Sequence, residues 1–163
     1  MKPLHLLLAG TAFALSAPAA AQANCDRQCL IDLSDKYVAA LVAHDPKAVP
    51  LSDKLVAVEN LKRIKPGEGL WASLTGKPDE FVIHVPDPVS RQVGIMVVAP
   101  GAESKPVMFG VRLKYDGGKI TEAEHIVGNA LGEGQLANLQ KPRPALLAPV
   151  PEPYADSRGR MIW

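Results

Sequence analysis

Hydrophobic positions change period twice along the chain. From Asp26 to Ala43 the residues Leu30, Leu33, Tyr37, Val38 and Leu41 recur at helical spacing, while Arg27, Asp32, Asp35 and Lys36 fall elsewhere, which predicts one long amphipathic helix. It should stop at His44-Asp45-Pro46, because a residue before proline is pushed out of the helical region. Leu55 to Asn60 is rich in β-branched residues and Leu61 to Ile64 continues it. Pro66-Gly67-Glu68-Gly69 then reads as a turn into a short helix around Leu70 to Ser73. Beyond it the period is two. Glu80–Val85, Gln92–Val98, Pro106–Tyr115 and Lys119–Val127 read as four strands, separated by Pro86-Asp87-Pro88, Pro100-Gly101 and Asp116-Gly117-Gly118, which have hairpin-turn chemistry. An α+β domain follows, with helices over one face of a curved antiparallel meander. The glycines at 67, 69, 128, 132 and 134 read as turn glycines, since a phosphate cradle needs a strand before it and a helix after it.

Two segments flank this pattern. Lys2, the apolar run Leu4 to Leu15 and the small residues of Ala21-Gln22-Ala23 form a secretory signal peptide over residues 1–23, with cleavage before Asn24. The run is shorter than the roughly 20 apolar residues that span a bilayer, so the expectation is a periplasmic or secreted protein with no membrane attachment after cleavage. The domain proper is read as 24–128. Residues 129–163, with prolines at 142, 144, 149, 151 and 153, read as an extended, Pro-rich linker or strap. Ser157 to Trp163 reads as the beginning of a further helix, which leaves open whether the chain is the first part of a longer protein.

Charge and cysteines narrow the function. The chain has 18 basic and 17 acidic residues, and loss of Lys2 with the leader equalises them, which argues against nucleic acid or an anionic membrane as partner. Cys25 and Cys29 are the only cysteines. An oxidising compartment permits a bridge between them at the cost of some distortion of the first helical turn, while two thiols or a bridge to another chain remain equal alternatives. Metal is not expected. The histidines at 44, 84 and 125 have no paired ligand spacing, and no nucleophile elbow is present for Ser-His-Asp chemistry.

Several pieces fall in an order that resembles a known family. They are Cys25-Asp26-Arg27-x-Cys29-Leu30, Tyr37 with Ala40 to Pro46, Glu59-Asn60, Gly67-x-Gly69-Leu70-Trp71, Asp87-Pro88, Gln92-Val93-Gly94, Arg112-Leu113-Lys114 with Asp116-Gly117, and Ile120-Thr121-Glu122-x-Glu124. The chain is similar over most of residues 25–127 to exported SnoaL-like proteins of the nuclear transport factor 2-like superfamily. The resemblance implies a cone-shaped α+β barrel with a pocket at its open end. Its relatives include cofactor-free isomerases, cyclases, dehydratases and lyases, and also proteins with no catalysis.

On the last strand, plain alternation puts Ile120, Glu122, Glu124 and Ile126 on one face and Thr121, Ala123, His125 and Val127 on the other. If Ile120 packs on the helix, as the resemblance suggests, Glu122 and Glu124 face the cavity, where burial would raise a carboxyl pKa and suit a base. His125 and His84 would then point away unless a β-bulge brings one inside. Arg112, in an otherwise apolar strand, should meet Glu122, Glu124 or a substrate anion. His44 should cap the helix C-terminus. The candidate catalytic residues are therefore Glu122, Glu124, Arg112, His125 and His84, with Tyr37, Glu59, Asn60 and Trp71 positioning the substrate. The leading expectation is a cofactor-independent lyase or isomerase acting on a small apolar or aromatic molecule. The alternative is a non-catalytic ligand-binding domain or homodimer, in which the stripe Val107, Phe109, Val111 and Leu113 would form the interface.

Overall fold

The computed structural model describes residues 25–128, 132–141 and 143–144. The expected leader, residues 1–23, and most of the Pro-rich tail lie outside the described residues.

Helix α1 spans Arg27–Val42. Asp26 caps it, its carboxylate accepting the Cys29 N–H at 2.9 Å, and so satisfies a donor that has no partner within the helix. Only Cys29 is helical. Cys25 sits before the cap, so the chain direction there brings the two Cα atoms to 5.2 Å and the disulfide forms, settling the alternatives left by spacing. The helix ends where the Pro46 argument places it. His44 takes a left-handed φ of 54° and returns its N–H to Leu41 O, while its imidazole reaches the Trp71 carbonyl rather than the end of α1.

The sheet comprises β1 (Leu51–Glu59), β2 (Lys62–Arg63), β3 (Val82–Asp87), β4 (Gln92–Pro100), β5 (Pro106–Asp116) and β6 (Lys119–Val127), in the order β2-β1-β6-β5-β4-β3. The four strands from β3 to β6 form the expected antiparallel meander. The sheet as a whole is mixed and open, because β1 joins β6 in parallel, pairing Val58 with Glu124 and Glu59 with His125. Asn60 and Leu61, both at positive φ, turn β1 into β2. Asn60 also ties the strand ends together: its side chain accepts the Val127 N–H at 2.9 Å and donates to the Val127 carbonyl at 3.1 Å. That bond pattern makes Asn60 a clasp between strands, with both ends of its side-chain amide taken by the backbone of Val127.

One irregularity decides which side chains face in. Tyr115 pairs with Ile120, yet Lys114 pairs with Glu122, so Thr121 is an extra residue that bulges from β6. Before and after the bulge the alternation differs by one position. Ile120, Ala123 and His125 consequently share the inner face, and Glu122 and Glu124 turn outward.

Helix α1 covers that inner face, together with α2 (Leu70–Ser73), which forms where the sequence predicts a short helix. The core joins Leu30, Leu33, Tyr37, Val38 and Leu41 to Leu70, Trp71 and Leu74 and to the inward residues of β4, β5 and β6. Phe109, Val111 and Leu113 belong to this core, with Val107 packed against it, so the stripe expected at the interface of a homodimer is already covered. The segment expected to be extended contains helix α3 (Glu133–Gln140), with Gly132 at its N-cap and Gly134 inside it, not in turns. The stretch 133–140 holds no proline and is rich in good helix formers, and the prolines begin just beyond it.

Candidate functional site

A polar thread crosses the core. The imidazole of His125, fully buried on β6, stands between Glu59 of β1 and Tyr37 of α1. Its Nδ1 lies 3.2 Å from Glu59 Oε2 and its Nε2 lies 3.0 Å from the Tyr37 hydroxyl. A carboxylate only accepts, so Nδ1 carries the hydrogen and Nε2 accepts from the Tyr37 O–H. Burial pushes the His125 pKa down, against the hydrogen bond and charge of Glu59, which favour protonation. Burial likewise raises the Tyr37 phenol, with a hydrogen bond donated by the Trp71 indole N–H opposing and the Glu59 charge adding. Trp71 packs edge-on against Tyr37 at a centroid distance of 5.3 Å. Glu59 also accepts the Leu70 N–H at 2.8 Å, and Gly69 makes room for it: a Cβ there would fall 2.3 Å from Oε2. Four expected site residues, Tyr37, Glu59, Trp71 and His125, are thus brought together, but as an internal support with only Glu59 partly exposed, at 20%.

The accessible chemistry lies at the open edge of the sheet. A cleft of about 540 Å³ runs between α1 and the inner face of β3 and β4, walled by Val38, Ala39, Val42, Val82, Ile95 and Val97. That volume is typical of small-molecule sites, which run to about 300–1,000 Å³. Asp35 stands on its helix wall and accepts a hydrogen bond from His84 Nε2 at 2.7 Å. His84 sits two residues along β3 from Val82 on the same inward face, and its side chain keeps 22% exposure. The expectation that His84 points away is therefore corrected: it faces α1. Lys77 stands on the third wall, in the loop after α2.

The outer face holds the other candidates. Arg112 Nε donates to Glu124 at 3.1 Å, and its Nη1 donates to Glu122 at 3.0 Å and Gln92 at 2.8 Å; Lys114 adds a bond to Glu122 at 3.1 Å. The expected Arg112 carboxylate partners are present. Neither glutamate faces the cleft under α1, because the Thr121 bulge turns both to the opposite face, where Glu124 and Arg112 line a smaller apolar pocket of about 250 Å³ with Ile83, Val85, Met96 and Ile126. Nor is Glu122 poised as a base: hydrogen bonds from Lys114 and Arg112 hold its carboxyl below the usual range despite some desolvation. Desolvation disfavours the Arg112 charge, but the bonds to Glu124 and Glu122 outweigh it and hold the guanidinium above its ordinary pKa.

Sequence reasoning missed Asp35 and Lys77. A signal for the first was present, since Asp35, Val38, Ala39 and Val42 fall at i, i+3, i+4 and i+7 and form a second stripe beside the core stripe. Lys77 carries no such pattern and becomes visible only when α2 is docked. Among the described residues no three His, Cys, Asp or Glu side chains converge on a metal position.

No protein-family model matches the sequence, and no curated protein matches it either. Among solved structures, AusH from Aspergillus nidulans superposes with a TM-score of 0.52 at 11% identity, covering 68% of this chain and 90% of that one. A proposed polyketide cyclase from Xanthomonas campestris pv. campestris superposes with a TM-score of 0.51 at 15% identity, covering 68% and 98%. An NTF2-like protein of unknown function from Cytophaga hutchinsonii aligns over 61% of this chain and 89% of its own, at 12% identity and a TM-score of 0.47. At such identities the likeness is one of architecture, and with the helix-covered curved sheet it shows a nuclear transport factor 2-like fold.

Proposed function

We propose that the domain is an exported, cofactor-independent enzyme of the lyase, isomerase or cyclase kind, acting on a small apolar molecule held in the α1–β3–β4 cleft. One observation carries the reading: an apolar cleft of about 540 Å³ lined by a carboxylate, Asp35, that is hydrogen-bonded to the neighbouring imidazole of His84. With Nε2–H given to Asp35, the Nδ1 lone pair of His84 is left to take a proton from carbon beside a substrate carbonyl. The resulting imidazolium is balanced by Asp35, and the same proton returns at a second carbon or on a departing hydroxyl. The SnoaL-like fold and a proposed cyclase among its structural neighbours support this class of chemistry without fixing the reaction.

The test is a screen of aromatic and polyketide-like compounds for turnover by the chain lacking residues 1–23. Against any compound found, His84→Gln should lower kcat by about 10²–10⁴ with little change in thermal midpoint, because the pair is partly exposed. Turnover unaffected by His84→Gln, or no compound bound or consumed, would sink the proposal. A non-catalytic interaction domain is favoured by one observation, the apolar outer patch of Ile83, Val85, Met96 and Ile126, each at least 40% exposed. Concentration-dependent mass in light scattering, lost in Val85→Lys, would support that reading.

A further inference from the structure

We infer that the ligand of the cleft is an apolar molecule bearing one carboxylate, which pairs with Lys77; this rests on the cleft being the ligand site. Two charged side chains line the cleft, Asp35 and Lys77. They are not equivalent. Asp35 already holds the His84 imidazole at 2.7 Å, whereas Lys77 makes no ion pair or side-chain hydrogen bond among the described residues. The ammonium of Lys77 is therefore the charged group of the cleft left without a side-chain partner, and its complement on a ligand is an anion.

The backbone that carries Lys77 is also held in place. Its loop is pinned to the end of β4 on both sides, by Thr75 N–H to Pro100 O at 2.8 Å, Thr75 Oγ1 to Gly101 O at 2.8 Å and Asp79 N–H to Val98 O at 2.9 Å. Gly76 lies so close to Pro100 that a Cβ would come within 3.0 Å of the ring. An ammonium on a pinned loop beside valine and isoleucine walls suits an amphipathic anion, with its hydrocarbon against β4 and its carboxylate at the mouth. The reacting end then lies towards His84 across the cleft.

Naphthalene-2-carboxylate, 2-naphthylmethanol and 2-naphthylmethylamine share one ring system and differ in charge, so their affinities for the chain lacking residues 1–23 separate charge recognition from apolar binding. The carboxylate should bind about tenfold more tightly than the alcohol, with the amine weakest. Lys77→Met should equalise carboxylate and alcohol, Lys77→Glu should favour the amine, and Ala39→Trp, which fills the cleft from an exposed helix position, should abolish all three. Equal binding of the three probes to the wild type, or a carboxylate preference that survives Lys77→Met, would overturn the inference and leave the cleft as an apolar site. No binding by any probe would remove the cleft as well. Lys77-dependent carboxylate binding without turnover of any compound would remove the enzyme reading and leave this one standing.

Discussion

His125 is the residue on which most of the interior depends. Its ring meets Tyr37 from α1 and Glu59 from β1, with Trp71 of α2 beyond the phenol and Val111 opposite on β5. Because burial lowers its pKa in the folded state, the unfolded chain, titrating near about 6.5, takes up a proton first as pH falls. The stabilisation is therefore complete above the unfolded value and is lost as pH drops through it towards the folded one. The thermal midpoint should fall between pH 7 and pH 5. His125→Gln should start lower at pH 7, by about 1–3 kcal/mol for the broken network, and show a flatter profile over that window. An unchanged slope would place the proton uptake elsewhere. The sequence put Glu59 near a pocket and Tyr37 on the apolar stripe of α1, but assigned Tyr37 and Trp71 to the substrate. It could not put His125 beside them, because alternation counted from Ile120 assumes that no residue is skipped.

The element responsible is β6, and the bulge can be tested directly. Deleting Thr121 removes the extra residue and leaves Lys114 opposite Glu122 and every later pair unchanged. Deleting Ala123 instead puts Glu124 opposite the inward Leu113 and turns His125 outward. The first deletion should give a folded protein with a midpoint lower by a few degrees, and the second should give none that unfolds cooperatively in circular dichroism. Equal behaviour would mean that the bulge does not set the facing of β6. The meander, α1 and α2 were legible because each rests on a local period or a turn residue. The parallel β1–β6 pair was not, since nothing local in Val56-Ala57-Val58 names a partner more than sixty residues away.

At the scale of the molecule, the proposed export rests on the leader expected over residues 1–23, and the bridge between Cys25 and Cys29 is of the kind that persists in an oxidising compartment. Intact-mass measurement of exported protein should give a chain starting at Asn24 and lighter by two hydrogens than its reduced form. A retained leader or two free thiols would contradict the export reading. The strand order adds a matter of timing. The last strand, β6, occupies the slot between β1 and β5, so a chain delivered only as far as Asp116 can pack α1 on β3 and β4 but has no strand to pair β1 with the β3–β4–β5 ladder. Closing the sheet waits for Lys119–Val127 and for contacts between distant parts of the chain, the slow kind to form. Under the proposed export, a polypeptide built in this order keeps its sheet open, and so stays threadable through a membrane pore, until residue 127 has emerged.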